Sequence, residues 1–551
     1  MRPGDMDNDN ERRASHGAPD WRRGGVIYQI YPRSFRDSNN DGVGDLQGVI
    51  DGLDYIARLG VDGVWLSPFF TSPMRDFGYD VADYCDVDPV FGTLADFDAL
   101  IAKAHDLGLK VIIDQVYSHS SESHPWFQES RRDRDNAKAD WYVWADPKED
   151  GAPPNNWQSV FGGPAWTWDA RRRQYYLHNF LASQPDLNQH NMEVQNAVLG
   201  VARFWLERGV DGFRFDALNF LMHDPQLRDN PPAPRENRRL TRPFDYQLCK
   251  YNMSHEGIAG FLERVRSEMN AFCGTFSVAE VVGPDPLAEM KSYTAEDLRL
   301  NSAYNFDFLY ADKLSPRRIA QSLSAWTGEP GEGWPSWAFS NHDAPRAVSR
   351  WAKEEDRDRA ARVFAMLLMA LRGNVFVYQG EELGLPQAVV PFESLQDPEA
   401  IANWPLTLGR DGARTPLPWR RGAPNSGFSQ VAPWLPVDPR HDALSIDTQE
   451  KSSTSVLKFF KRLIRIRRDS DALRTGTIEF FDTPDEIVAF ARRSGRERVV
   501  CAFNIGGRSA KWRAPIAGAN TVIASIGAGE EGAAAPGKLS PLSAYYARIG
   551  A

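Results

Sequence analysis

The sequence predicts an α/β protein: a (β/α)8 TIM barrel with an inserted subdomain after its third strand and a C-terminal antiparallel β-sandwich. Three features carry this. Apolar runs of strand length alternate with helix-period segments from Trp21 onward. The alternation first breaks after the third run, into a long Trp-, Asn-, Pro- and Gly-rich stretch. Beyond Leu473 the style changes to short period-two strands with turn residues between them. The 551 residues, 42% hydrophobic and 25% charged, suffice for a large core with appendages.

In chain order, residues 1–20 are polar and charged and read as a disordered tail. GVIYQIYP (25–32) is the first strand. The Gly/Asp/Asn loop DSNNDGVGDLQG leads to the helix VIDGLDYIARLG, closed by Gly60. VDGVWLSP (61–68), the helix LADFDALIAKAHDLG and KVIIDQV (110–116) follow. Helices between strands call for parallel pairing. Residues 117–187 form the inserted subdomain. The helix MEVQNAVLGVARFWLERG then leads to the fourth strand, VDGFRFDA (210–217). TFSVAEVV (275–282), RLNSAYNFDFL (299–309), PSWAFSNHD (335–343) and NVFVYQGEEL (374–383) complete the eight. Residues 223–254 and 384–452 are Pro-rich mouth loops, and STSVLKFFKRLIRIRR is the closing helix. The barrel takes 21–116 and 188–472, and the sandwich takes 473–551. Its expected strands are TIEFFD, EIVAFARR, RVVCAFNIG and LSAYYARI.

A net charge of -10 argues against nucleic acid, which needs a basic face. No apolar run spans a membrane, so neither a nucleic-acid nor a membrane partner is expected. Four cysteines without CxxC spacing read as free thiols, and a cytoplasmic location is the simplest reading. Aromatic residues are 12% of the chain, with 17 Trp, which suits sugar-stacking walls and a Trp-rich core equally.

In VDGFRFDA, Phe213 and Phe215 face one way and Arg214 and Asp216 the other. Two charges aimed inward are costly unless each has a role. Taken alone they read equally as a structural ion pair. Glu280 in SVAEV and Asp343 in SNHD reach strand ends at the same mouth, where catalytic groups of such barrels sit. Retaining glycosidases need two carboxyls about 5–5.5 Å apart, close to the spacing of neighbouring strands. Apolar neighbours favour a protonated Glu280, a general acid, and Arg214 favours an ionised Asp216, a nucleophile.

DQVYSH (114–119), QPDLN (184–188), GFRFD (212–216), the VAEVV segment around Glu280 and SNHD (340–343) occur in this order. On these motifs the chain resembles the α-amylase family (glycoside hydrolase family 13), above all its oligo-1,6-glucosidase/α-glucosidase branch, from about Trp21 to the end. The resemblance implies Asp216 as nucleophile, Glu280 as acid/base and Asp343 as the carboxylate on the sugar's 2- and 3-hydroxyls. It implies that Arg214 steadies the nucleophile and that His119 and His342 bond ring hydroxyls. Asp76 and Tyr79 of MRDFGYD would hold the terminal sugar, Asp76 paired with Arg414 of ARTPLPW. Phe161 is a wall of the site or subdomain packing in equal measure.

DSNNDGVGD sets oxygens at alternating positions, Asp37, Asn39, Asp41, the Val43 carbonyl and Asp45, and the resemblance makes this a structural Ca2+ or Mg2+ site. No organic cofactor is expected. The implied activity is retaining exo-α-glucosidase action on disaccharides, short oligosaccharides and aryl or alkyl glucosides, with transglucosylation, by a monomer or homodimer. The alternative is a transglucosylase or a sucrose, maltose or trehalose isomerase using the same trio. Three positions depart from the family pattern: Ala217 after the nucleophile, where Val or Thr would mark linkage preference, Gln115 for Val, and Ser118 for Asn.

Overall fold

The structure, a computed structural model, describes residues 20–234, 242–326, 328, 331–406, 409–516 and 520–550. Apart from Asp20, the expected tail lies outside the described residues, as does 235–241 of the first mouth loop. Eight parallel strands form one sheet: β1 (Val26–Ile30), β2 (Gly63–Leu66), β3 (Lys110–Gln115), β4 (Gly212–Phe215), β5 (Phe276–Val281), β6 (Ser302–Asn305), β7 (Ser336–Ala338) and β8 (Asn374–Tyr378). Each of β1 to β5 pairs with the next, β8 pairs with both β1 and β7, and an Ala303–Pro335 bridge joins β6 to β7 and closes the ring.

Strands six and seven are shorter than expected. In SNHD, Asn341 Oδ1 accepts the N–H groups of Asp343 and Ala344 at 2.9 and 2.8 Å. This Asx turn ends the ladder and sets Asp343 on the loop beyond β7.

Two apolar layers follow from side-chain alternation. Ile27, Trp65, Ile112, Val278, Tyr304 and Phe376 fill the bore. Val64, Ile113, Phe213, Phe215, Val281 and Val377 face outward against the helices. Those helices include α1 (Leu46–Ala57), α2 (Leu94–Asp106), α3 (Met192–Glu207), α4 (Ile258–Met269), α5 (Pro286–Tyr293), α6 (Pro316–Ser324), α7 (Arg357–Ala370) and α8 (Val456–Arg468). Asp45 caps α1 through the Gly48 N–H, and Thr93 with Asp96 makes a capping box on α2. Gly212 is required: a Cβ there would stand 2.1 Å from the Phe276 carbonyl oxygen on β5.

After β3 the chain builds a small sheet of Trp144–Ala145, Trp166–Asp169 and Gln174–Leu177 over its own core of Trp157, Trp166 and Leu177. The first mouth loop holds on to it: Trp157 Nε1 donates to the Arg228 carbonyl at 2.9 Å and Asn156 Nδ2 to that of Asn230 at 2.9 Å.

The C-terminal sheet is antiparallel, with order β9 (Thr477–Phe480), β10 (Ile487–Ser494), β11 (Glu497–Asn504), β13 (Ser543–Ile549) and β12 (Asn520–Ile526). β12 is an addition to the four strands expected. One face packs with Trp512 and Leu539 beside a two-stranded ribbon; Phe490, Phe503 and Tyr546 on the other join the barrel core. Two buried arginines pin this seam. Arg467 donates to the carbonyls of Gly24, Met369, Leu371 and Gly373, and Arg492 to those of Ala370, Leu473, Gly476 and Thr477. The carbonyls ending α7 are thereby satisfied by cations, as the helix dipole favours. Arg492→Met should orphan these acceptors, cost about 2–4 kcal/mol and lower Tm in a thermal melt while leaving the mouth geometry unchanged.

Candidate active site

Arg214 points from β4 into the bore and is fully buried. Its Nη1 donates to Asp114 Oδ1 at 2.7 Å and to Asp216 Oδ1 at 2.5 Å, and its Nε donates to the Tyr304 hydroxyl at 3.1 Å. Nη2 lies 2.7 Å from Glu280 Oε2, out of hydrogen-bond alignment. The guanidinium sits over Trp65 at 5.0 Å. Strand register makes this convergence: β4 and β5 pair from Gly212–Phe276 to Phe215–Ala279, and one step on brings Asp216 level with Glu280. One cation therefore serves three carboxyls, where the expectation linked it to Asp216 alone.

Burial raises Asp114 and Glu280 and pushes Asp216 well above its ordinary value, Arg214 pulls all three down, and neighbouring carboxyls raise Asp216 and Glu280 again. A single guanidinium cannot neutralise three anions in a buried site, so the cluster retains a proton. Asp114 also accepts from Trp65 Nε1 at 3.0 Å and the Tyr79 hydroxyl at 3.2 Å, which favours its ionised form. Asp343 differs. Burial opposes its charge, but His342, Arg414 and Arg410 outweigh that and hold it below the usual range. Arg414 Nη2 donates to its Oδ1 at 2.6 Å.

The expected Asp76–Arg414 pair is corrected. Asp76 meets Arg410, Nη2 to Oδ1 at 2.8 Å, and Arg410 also binds Asp397 at 2.9 Å and stacks over Phe161 at 5.0 Å. Arg410 precedes the helical turn Asp411–Arg414 that Arg414 ends. Arg414 turns into the protein, with Nε on the His342 carbonyl at 2.8 Å, and leaves the cavity side to Arg410. The pair of arginines four apart in GRDGAR was the signal for Arg410; Asp397 had none.

Tyr79 stacks on His342, rings 4° apart, and its hydroxyl meets His342 Nε2 at 2.6 Å. Gln29 donates to His342 Nδ1 at 2.8 Å, which assigns the proton to Nε2. His119 Nε2 donates to the Tyr79 carbonyl at 3.0 Å, which sets the tautomer, and Ser118 Oγ donates to the free Nδ1 at 2.9 Å. Gln115 is buried with neither side-chain polar atom hydrogen-bonded, and nothing in the structure explains that departure.

A cavity of about 530 Å³ opens here. Asp76, Tyr79, His119, Phe161, Asp216, Glu280 and Asp343 line it; Arg214, His342 and Arg414 stand behind its wall. Gln184 joins the inner end by donating to Asp76 at 3.2 Å. An apolar wall is built from Ala217, Phe220, Phe244, Cys249, Met253 and Val282, and the ion-paired Arg242, Asp245 and Glu399 also line the cavity. Phe244, Cys249 and Met253 come from the mouth loop, whose role the sequence left open.

The acidic loop DSNNDGVGD spans residues 37–45, between β1 and α1. Its donors are hard oxygens, yet among the described residues no three carboxylates, histidines or cysteines stand close enough to hold a metal. Asp37 accepts the N–H groups of Asn40 and Gly42, Asn39 that of Asp41, Asp41 that of Val43, and Asp45 those of Ser38 and Gly48. Successive Asx turns keep the oxygens on their own backbone.

An eight-stranded barrel whose bore ends in paired carboxyls around one arginine defines a glycoside hydrolase. Residues 29–476 match the family described as alpha amylase, catalytic domain. A probable alpha-glucosidase of Rhizobium meliloti (strain 1021) is 52% identical over 504 residues, covering 90% of this chain and 91% of that one. An oligo-1,6-glucosidase of Parageobacillus thermoglucosidasius is 36% identical over 527 residues, covering 90% and 92%. The crystal structure of the alpha-glucosyl transfer enzyme XgtA superposes with a TM-score of 0.92 at 50% identity, covering 96% of this chain and 100% of that one. The chain belongs to the alpha-amylase family, in its oligo-1,6-glucosidase/α-glucosidase branch, and is a glycoside hydrolase.

Burial lowers His119 to about 4 and His342 to about 3. Both should stay neutral at every pH above about 5. Ring-nitrogen NMR between pH 5 and 8 should show no titration of either; an inflection near 6.5 would contradict the buried network.

Proposed function

We propose a retaining, exo-acting α-glucosidase that releases glucose from the non-reducing end of short α-glucosides and transfers it to small acceptors. The observation that carries this is the guanidinium shared by Asp114, Asp216 and Glu280. Asp114 has three donors and Asp216 an aligned guanidinium N–H, whereas Glu280 accepts only the long Ala217 N–H at 3.4 Å beside an unaligned Arg214 contact and faces the charge of Asp343. The retained proton therefore rests on Glu280. Asp216, ionised, attacks the anomeric carbon as Glu280 protonates the leaving oxygen, giving a β-glucosyl-enzyme. Glu280, now a carboxylate, takes the proton of an incoming water or alcohol, whose oxygen displaces Asp216 and restores the α-anomer. Asp343, held ionised, binds sugar hydroxyls and favours positive charge at the ring.

The Asp76–Arg410 pair closes the inner end of the cavity, which suits a terminal sugar and supports exo action. Tyr79, His119 and Phe161 shape that end, with His342, Arg214 and Arg414 acting from behind. The apolar outer wall supports disaccharide, aryl and alkyl aglycones and acceptors, and the likeness to an alpha-glucosyl transfer enzyme supports transfer. Ala217 adds neither bulk nor a hydroxyl there, consistent with α-1,4 or mixed linkage. Four free cysteines suit the cytoplasm. The acidic loop we read as a structural Ca2+ or Mg2+ site in which a cation draws the Asx oxygens together.

Proton NMR of a reacting α-glucoside should show α-glucose first; initial β-glucose would rule out retention. Asp216→Ala should abolish turnover, and Glu280→Gln should lower kcat/KM on an alkyl α-glucoside at least about 100-fold. The pH profile should be a bell: Asp216 gains a proton on the acid side, and Glu280 loses its own on the alkaline side, above the usual carboxylate range because burial raises it. For the loop, adding Ca2+ to chelator-treated protein should raise Tm by a few degrees; an unchanged Tm would assign the motif to Asx turns alone.

A further inference from the structure

Three residues past the nucleophile, Asn219 is fully buried and joins four parts of the mouth that the chemistry keeps apart. Its Oδ1 accepts the Val282 N–H at 2.9 Å, two residues beyond Glu280. Its Nδ2 donates to Glu289 on α5 and to Ser254 Oγ at 3.0 Å. Its carbonyl accepts the Ser254 N–H at 2.7 Å, and Ser254 Oγ closes the circuit on Glu289 Oε2 at 2.9 Å. Ser254 ends the loop that supplies the apolar outer wall. Between Asp216 and Asn219 the backbone passes through Ala217 at φ 44°, ψ 40°, a left-handed conformation that a residue with a Cβ holds only when its surroundings enforce it. The Ala217 N–H points at Glu280 Oε2, 3.4 Å away.

We propose that Asn219 is a positioning residue for the nucleophile and the acid/base, locking the ends of β4 and β5 and the acceptor loop to one another through Glu289. The inference rests on the glucosidase reading of Asp216 and Glu280. Only a primary amide meets the demand at this site. Val282 needs an acceptor and Glu289 needs a donor, on one short side chain. Ala leaves the half-buried Val282 N–H without its acceptor and takes the amide donor from Glu289, which then keeps Ser254 Oγ. Asp keeps the acceptor but sets two carboxylates against each other. The reciprocal exchange is informative: Asp at 219 still accepts from Val282, and Gln at 289 donates to it while accepting from Ser254.

The test uses the full chain and an aryl α-glucoside. Asn219→Ala should lower kcat about 10–100-fold, because small misplacement of reacting groups is costly, with KM changed less than about threefold and the alkaline limb of the pH profile displaced. Asn219→Asp should behave likewise, and the double variant N219D/E289Q should recover at least about a third of wild-type kcat together with the wild-type pH limb. Circular dichroism and Tm identify a variant that fails to fold, and the double variant then decides. Unchanged kcat in folded Asn219→Ala, or no recovery in the folded double variant, would overturn the proposal. An inactive wild-type protein would instead overturn the glucosidase reading itself.

Discussion

One buried cation organises the mouth of this barrel. Arg214 faces more negative charge than it can balance, and the imbalance has chemical content. If each carboxyl had its own arginine, all would ionise and no acid would remain at neutral pH. With Asp114, Asp216 and Glu280 around one guanidinium, a proton stays in the cluster. Hydrogen-bond geometry then distributes roles: aligned guanidinium donors fall to Asp114 and Asp216, and Glu280 is left with an unaligned guanidinium contact and one long bond from the Ala217 N–H.

The rest of the fold maintains that asymmetry. Strand register sets Glu280 level with Asp216. The Asx turn at Asn341 carries Asp343 off its strand to where Arg414 and Arg410 keep it charged. The chain Gln29–His342–Tyr79–Asp114 fixes one tautomer and adds a donor to Asp114, so Arg214 need not supply every bond. The Asp76–Arg410 pair marks one part of the cavity and the apolar wall of Ala217, Phe220, Phe244, Cys249, Met253 and Val282 another, which suits a fixed glucosyl site beside a permissive acceptor side.

Much of this was legible because it follows from local patterns. Strand-length apolar runs separated by helices gave the barrel, and the alternation in VDGFRFDA set Arg214 and Asp216 on the inward face. Short motifs placed the carboxylates at the mouth. What failed was long-range side-chain choice. Arg410 and Arg414 are both candidates for Asp76, and only tertiary packing assigns Arg414 to Asp343 and Arg410 to Asp76. Strand seven was overextended because its run bends into the Asx turn at Asn341, although its composition would continue. The acidic loop is a different case: it has the composition of a cation site, its oxygens also accept backbone N–H groups, and composition alone does not rank the two uses. Asn219 offered no signal, since its partners lie on three other segments.

The central claim is that Asp216 is the ionised member of the cluster and the group that bonds to the sugar. Incubating the protein with a fluorinated α-glucosyl fluoride that slows breakdown of the glycosyl-enzyme, then digesting it and sequencing peptides by mass spectrometry, addresses this directly. A single fluoroglucosyl adduct on Asp216 is the predicted result. An adduct on Glu280 or Asp343, or turnover of the fluoride with no adduct on Asp216, would contradict the assignment.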